Sequence, residues 1–242
     1  LRNGKPVQSD IPWVRRILSD PDLRMMGHAQ SLDDDNLGLG WLYYALMRVA
    51  RPERAICIGS WRGYVPIVLA RAMRDNGNGG RLTFIDPSLV DDFWADPERT
   101  RRWFESFELD NVEHHRLTTQ EFVASDAYRV LGPVGVLFID GYHTAEQARF
   151  DHEAFAPLLC DDASVFFHDS IRPDTSLVYG MEKSYLHTVS RYVAELKERP
   201  GLQVMDFAVD SGVTLVRNAP RPADRIPRPP GQGLPSSLRA LK

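Results

Sequence analysis

Cysteine is scarce in this chain: Cys57 and Cys160 are the only two in 242 residues, and they have no metal-like spacing. A disulfide-stapled scaffold or a cysteine zinc module is thereby excluded, and a reduced, cytoplasmic protein is the simple expectation. Long apolar runs are missing as well. None approaches the ~18 residues of a membrane helix, so no membrane partner is expected. The opening residues, LRNGKPVQSD, lack an apolar h-region and read as a trimmed or processed start, not as a signal peptide. Nor is there an excess of positive charge. A formal net charge of −4 weighs against nucleic acid or an acidic membrane surface as the main partner. No internal repeat is evident.

What is present suits one globular domain, with 43% hydrophobic residues. Residues 1–32 form an N-terminal segment, 33–217 the domain, and 218–242 a basic tail with six prolines, read as an extended or disordered tail or a partner-wrapping arm. Within the first segment IPWVRRIL is a short amphipathic piece, and Met25, Met26 and His28 read as packing or loop residues. Asp33, Asp34 and Asp35 precede Leu37, Leu39, Trp41, Leu42, Ala45, Leu46 and Val49, as in a helix with favourable charge at its N-terminus. Ala55 to Ile58 is a first strand, RLTFID a second, and Val112 to Leu117 a third after a helix near Asp96 to Phe107. Thr118 to Glu121 has the pattern of a capped helix start, with the helix running to Leu131.

The run Val134 to Asp169 carries the most chemistry. Val136 to Ile139 and Val165 to Phe167 are short, continuous and β-branched or aromatic, as strands buried on both faces are. Between them Ala145, Ala148, Phe155 and Leu159 recur at helical spacing, so the unit is a strand–helix–strand crossover with parallel strands. A helix around Met181 to Glu198 then leads to VMDFAVD and SGVTLVR, a hairpin turning at Asp210-Ser211-Gly212. The expected fold is a doubly wound, Rossmann-like α/β domain with a mostly parallel seven-stranded sheet and a C-terminal antiparallel hairpin.

In such a sheet ligands bind beyond the carboxyl ends of the strands. Gly59 and Gly63 bracket a tight turn before a helix, and glycine there lets backbone approach a ligand that also meets bare helix N–H groups. Asp86 ends the second strand, where an acid accepts hydrogen bonds from ribose hydroxyls. The turn has neither the Gly-x-Gly-x-x-Gly of nicotinamide and flavin enzymes nor a following Gly-Lys-Ser/Thr. Asp140 and the pair His168-Asp169 end the two later strands, within about 5 Å of one another if those strands are neighbours.

Taken together, AICIGSWRGY, LTFIDP, VLFIDGYHTAEQARFD and VFFHD resemble a class I S-adenosylmethionine-dependent methyltransferase over roughly Asp33 to Arg217. More narrowly they resemble the metal-dependent O-methyltransferases of macrolide sugars and the related cephalosporin-biosynthesis enzymes. The resemblance implies S-adenosylmethionine as cofactor, held by Gly59, Ser60, Gly63, Asp86 and Asp140. It implies a Mg²⁺ or Mn²⁺ site at Asp140, His168 and Asp169, and catalytic roles for Asp140 and for His143 as general base. The chain departs from the family pattern at Cys57, where an acid is usual, at Asp161-Asp162, which replaces a glycine pair, and at His168, where the sugar-modifying relatives carry an acid.

The chemistry fits those residue types. An alcohol is almost wholly protonated at neutral pH; a divalent cation lowers its pKa and an imidazole takes its proton as the methyl arrives. Side chains alternate along a strand, so His168 and Asp169 would point to opposite sides, which makes Asp169 the preferred ligand and leaves His168 to orient a neighbour. Asp151 reads as structural. The expected activity is metal-assisted O-methylation of a hydroxyl on a small molecule, a sugar or natural product. The alternatives are a metal-independent methyltransferase with His143 as base, and a non-catalytic cofactor-binding scaffold. Residues 171–187, with Tyr179, Lys183 and Tyr185, and the N-terminal residues before Asp33 are expected to face the acceptor, and the N-terminal segment and tail are natural contacts for a homo-oligomer.

Overall fold

The structure is a computed structural model and describes residues 11–177 and 184–219. The chain begins with helices α1 (Pro12–Ser19), α2 (Pro21–Arg24) and α3 (Gly40–Ala50). Strand β1 (Arg54–Ile58), α4 (Tyr64–Asn76), β2 (Arg81–Ile85), α5 (Pro97–Ser106) and β3 (Val112–His115) follow. Next come α6 (Thr119–Ala124), α7 (Asp126–Arg129), β4 (Val134–Ile139), α8 (Ala145–Phe155) and β5 (Leu159–His168). A small hairpin, β6 (Thr175–Leu177) with β7 (Ser184–Leu186), precedes α9 (Val189–Glu198), β8 (Leu202–Phe207) and β9 (Val213–Asn218).

Seven strands form one sheet in the order β3-β2-β1-β4-β5-β9-β8. β1 to β5 pair in parallel, and β9 runs antiparallel between β5 and β8. This is the expected doubly wound sheet with its reversed last strand. Both faces are covered, which is why the strand sequences are apolar without alternation. Ala55, Cys57, Val136, Phe138 and Phe166 face the layer of α3 and α4, where Val14, Ile17 and Leu18 of α1 join the same core. Ile56, Ile58, Leu137, Ile139, Val165 and Phe167 face α8 and α9.

Three helical expectations change. The acidic cluster does not start a helix: α3 begins at Gly40 with no acid in its first turn. Asp35 instead is buried and accepts two guanidinium hydrogen bonds of 3.0 Å from Arg15 at one oxygen pair, fastening α1 to the loop before α3. The helix expected from Thr118 to Leu131 breaks at Ser125, whose hydroxyl accepts from the Tyr128 N–H and starts a second short helix. The Thr118–Glu121 capping box itself is present. The helix expected from Met181 begins only at Val189, where the buried spacing Val189, Tyr192, Val193, Leu196 sets in. Ser184–Leu186 before it is strand, paired with Thr175–Leu177. Met181 lies outside the described residues.

Phe166 is fully buried, with its ring 5.4 Å from those of both Tyr43 and Phe138. Removing such a ring from a two-sided core costs about 3–5 kcal/mol. Urea denaturation of Phe166→Ala is expected to show that loss, and a loss below about 1 kcal/mol would mean the sheet does not pack as described.

Candidate active site

The turn after β1 brings two strand ends against each other. Gly59 has φ +70°, and a Cβ there would collide with the carbonyl of Asp140, so only glycine lets the ends of β1 and β4 approach this closely. The Asp140 N–H donates to the Ile58 carbonyl at 2.8 Å, and the Gly59 N–H to that of Ile85 at 2.8 Å. Gly63, at φ +87°, caps α4, and a Cβ there would lie 3.0 Å from the Trp94 ring. It shapes the turn from behind and does not line the cleft, whereas Gly59 and Ser60 do.

Asp86 follows β2 on the same wall. Its two carboxylate oxygens accept from the N–H groups of Ser60 at 3.3 Å and Ser88 at 2.8 Å. Burial pushes its carboxyl up to about 6, against the pull of those two N–H donors. Leu117, Thr118, Thr119 and Gln120, after β3, continue the wall of a cleft of about 720 Å³.

Beyond the glycine turn the cleft turns polar. His168 is the last residue of β5, and Asp169 adopts the left-handed φ of +50°. That reversal defeats strand alternation: His168 Nδ1 lies 2.8 Å from Asp140 Oδ1 and 3.2 Å from Asp169 Oδ1, so His168 and Asp169 share one side. The expectation that they would point apart fails because the strand stops between them. Asp140, His168 and Asp169 are thus brought together as a chain of ion pairs, with the imidazole between the carboxylates. Burial alone would lower the His168 pKa, but Asp140 and Asp169 raise it to about 9. His28 packs behind it, stacked on Tyr64 at 4.9 Å and 4.4 Å from the His168 ring. Burial and the neighbouring His168 keep His28 well below the usual histidine range.

His143 Nδ1 stands 3.2 Å from Asp169 Oδ2. Burial lowers its pKa despite Asp140 and Asp169, so the ring is neutral at pH 7. On Asp169 burial is outweighed by His168 and His143, which hold the carboxyl below its usual range. The Ser211 hydroxyl also donates to Asp169.

His187 enters this group from the segment after β7. Its Nδ1 is 3.3 Å from Asp169 Oδ2, and its ring stacks on that of His143 at 4.5 Å. Backbone ties hold it there, since the Thr188 N–H donates to the His143 carbonyl at 2.9 Å and the Thr188 hydroxyl accepts from the Ala145 N–H at 2.9 Å. Among the described residues, the His143, Asp169 and His187 ligand atoms all lie within 4.8 Å of one another, and the expected trio Asp140, His168, Asp169 does not form such a group. In sequence His187 was only the end of an irregular segment; its position just before the amphipathic run of α9 was the available signal. Tyr185 stacks on Tyr142 at 4.2 Å beside it, while Tyr179 and Lys183 lie outside the described residues.

A nucleoside-sized cleft at the carboxyl edge of this sheet, with a glycine turn and an acid after β2, is the arrangement of a nucleoside-binding α/β domain. Residues 56–170 match the family model described as a methyltransferase domain, so the chain carries a methyltransferase domain. The fold is similar to that of the O-methyltransferase TomG from Streptomyces achromogenes, involved in tomaymycin synthesis and solved with S-adenosylmethionine. That match has 17% identity, covers 88% of this chain and 92% of that one, and has a TM-score of 0.60. An O-methyltransferase from Bacillus cereus in complex with S-adenosylhomocysteine matches at 16% identity, 88% and 93% coverage and a TM-score of 0.62. A methyltransferase from Geobacter sulfurreducens matches at 18%, 88% and 91%, with a TM-score of 0.59. No curated protein matches the sequence. No helix among the described residues is long and apolar enough to cross a membrane.

Asp151, read as structural, lies in α8 with its carboxylate buried at the cleft wall, where Gln147 donates to it at 2.7 Å. Burial raises its pKa to about 6, opposed by hydrogen bonds from Thr119 and Gln147. The folded state therefore holds a proton that the unfolded state, with a pKa near 3.8, has lost, and stability falls as pH rises through that interval. Asp151→Asn is expected to stabilise the protein at pH 7.5 by at most about 3 kcal/mol, with the gain vanishing near pH 4. Thermal melts at the two pH values check this, and an equal effect at both would contradict it.

Proposed function

We propose that the enzyme transfers the methyl group of S-adenosylmethionine to a hydroxyl oxygen of a small molecule, such as a sugar or natural product. In this reading Gly59, Ser60 and Asp86 hold the cofactor, with Asp86 on the ribose and Asp140 near the sulfonium end. Gly63 acts indirectly by setting the turn. The acceptor lies against Asp140, His143, Asp169 and His187. One observation carries the reading: the mostly buried His143 imidazole lies 3.2 Å from Asp169 in the same cleft as Asp86.

An Asp beside Nδ1 fixes the ring and its tautomer, so the lone pair of His143 is available to the acceptor as its O–H bond weakens. A cation at this end would lower the acceptor pKa and carry part of the developing charge. The volume of about 720 Å³ suits a nucleoside cofactor with a small acceptor, not a polymer. TomG and the Bacillus cereus enzyme are both O-methyltransferases, which supports oxygen as the target. A metal-free version of the same transfer is favoured by one feature, since His168 already places positive charge between Asp140 and Asp169. Full turnover after exhaustive EDTA would select that version.

The test is S-adenosylhomocysteine release with a panel of hydroxylated sugars and phenols, followed by mass spectrometry of the product. His143→Gln is expected to lower kcat by about 10²–10⁴-fold while S-adenosylhomocysteine binds as before. Unchanged turnover in that variant, or a methyl group found on nitrogen, would overturn the proposal.

A further inference from the structure

We propose that His143, Asp169 and His187 form a binding site for one divalent transition-metal ion, distinct from the Asp140, His168, Asp169 set that the family resemblance implies. The inference rests on the acceptor end of the cleft as read above and changes the role of His143 in the metal-loaded form: Nδ1 is then a ligand, and the ion would take the place of the free lone pair in lowering the acceptor pKa.

Geometry is the first argument. Both Nδ1 atoms face the same carboxylate oxygen, Asp169 Oδ2, at 3.2 Å from His143 and 3.3 Å from His187. Ions of the zinc class hold nitrogen and oxygen at about 2.0–2.2 Å, which spaces neighbouring ligand atoms roughly 3.0–3.5 Å apart. The two distances fall in that interval. The rings lie nearly parallel, 19° apart with centroids at 4.5 Å, and each brings its Nδ1 to the same carboxylate oxygen.

The second argument is the unmet valence of His187. Its Nδ1 is buried and makes no hydrogen bond among the described residues, the 3.3 Å approach to Asp169 Oδ2 being an ion-pair distance without hydrogen-bond geometry, and the side chain is only 4% exposed. Leaving such an atom empty is costly unless something outside the described set completes it. The other ring nitrogen is already engaged: His187 Nε2 lies 2.7 Å from the Ser176 hydroxyl. With Nε2–H donating to that hydroxyl, Nδ1 is presented as a lone pair, which is the usual outer support of a metal-bound histidine.

Asp169 is supported in the same way. Its Oδ1 accepts from the Ser211 hydroxyl and faces His168, which leaves Oδ2 for the two imidazoles. The left-handed backbone at Asp169, φ +50°, aims the carboxylate at this point, and strained backbone of that kind persists where surrounding structure demands it. All three residues line the cleft, so positions beyond the three protein ligands open onto the acceptor space.

The donor set decides the ion. Two imidazole nitrogens and one carboxylate suit Zn²⁺, Co²⁺, Fe²⁺ or Mn²⁺, whereas Mg²⁺ prefers oxygen throughout. By contrast, Asp140 and Asp169 do not converge with His168 on a common point, because the imidazole stands between them.

The probe is Co²⁺, added to chelator-stripped full-length protein and followed by its visible absorption, with Zn²⁺ as competitor and Mg²⁺ as control. One Co²⁺ per chain is expected, displaced by Zn²⁺ and not by Mg²⁺. Loss of an outer partner alone weakens metal binding by about 10–100-fold, so His187→Ala and His143→Ala should weaken Co²⁺ by about 100-fold or more. Asp140→Asn should leave it intact. No stoichiometric absorption, or loss in Asp140→Asn with retention in His187→Ala, would overturn the site. S-adenosylhomocysteine titration of every sample reports folding and separates the two readings. Cofactor binding without Co²⁺ removes the metal site alone, and absence of cofactor binding in the wild type removes the reading of the cleft.

Discussion

The close approach of Gly59 to the Asp140 carbonyl is the constraint on which the site depends. A side chain at Gly59 would push the ends of β1 and β4 apart, and the hydrogen bonds from Asp140 to Ile58 and from Gly59 to Ile85 would go with it. Those bonds hold three parallel strand ends level, so that the Ser60 N–H reaches Asp86 on one side while Asp140 reaches His168 on the other. Cofactor wall and acceptor wall are therefore one backbone arrangement. The glycine supplies no chemistry of its own.

The acceptor wall adds a second device, the left-handed turn at Asp169. An ordinary strand would have sent His168 and Asp169 to opposite faces. With the turn, one carboxylate meets three imidazoles, those of His143, His168 and His187. Burial makes these contacts strong and also splits their protonation, since His168 is driven up by the carboxylates and His143 down by desolvation. Groups with opposed shifts in one cleft are what proton handling or cation binding requires.

The sheet was legible because its strands are apolar on both faces, and a run such as Val136 to Ile139 has few alternatives. Asp86, Asp140, His143 and Asp169 were legible because each stops an apolar run or follows one closely. What escaped was set by contacts distant in sequence. Asp33 to Asp35 have the composition of a helix start, yet Asp35 is claimed by Arg15, twenty positions earlier. His187 carries no local pattern of its own and reaches the site through Thr188, which is tied to His143 and Ala145. His28, by contrast, is the packing residue expected, held between the Tyr64 and His168 rings. Backbone sign was equally invisible, as nothing in the sequence around Asp169 announces a positive φ.

The central claim is that one wall of the cleft is a nucleoside site built on Asp86. Isothermal titration with S-adenosylhomocysteine tests it most directly, on the wild type and on Asp86→Ala. One binding site per chain is expected and, for the variant, affinity lower by at least about tenfold, the equivalent of about 1.4 kcal/mol. Absence of binding at millimolar ligand, or equal affinity in the two proteins, would contradict it.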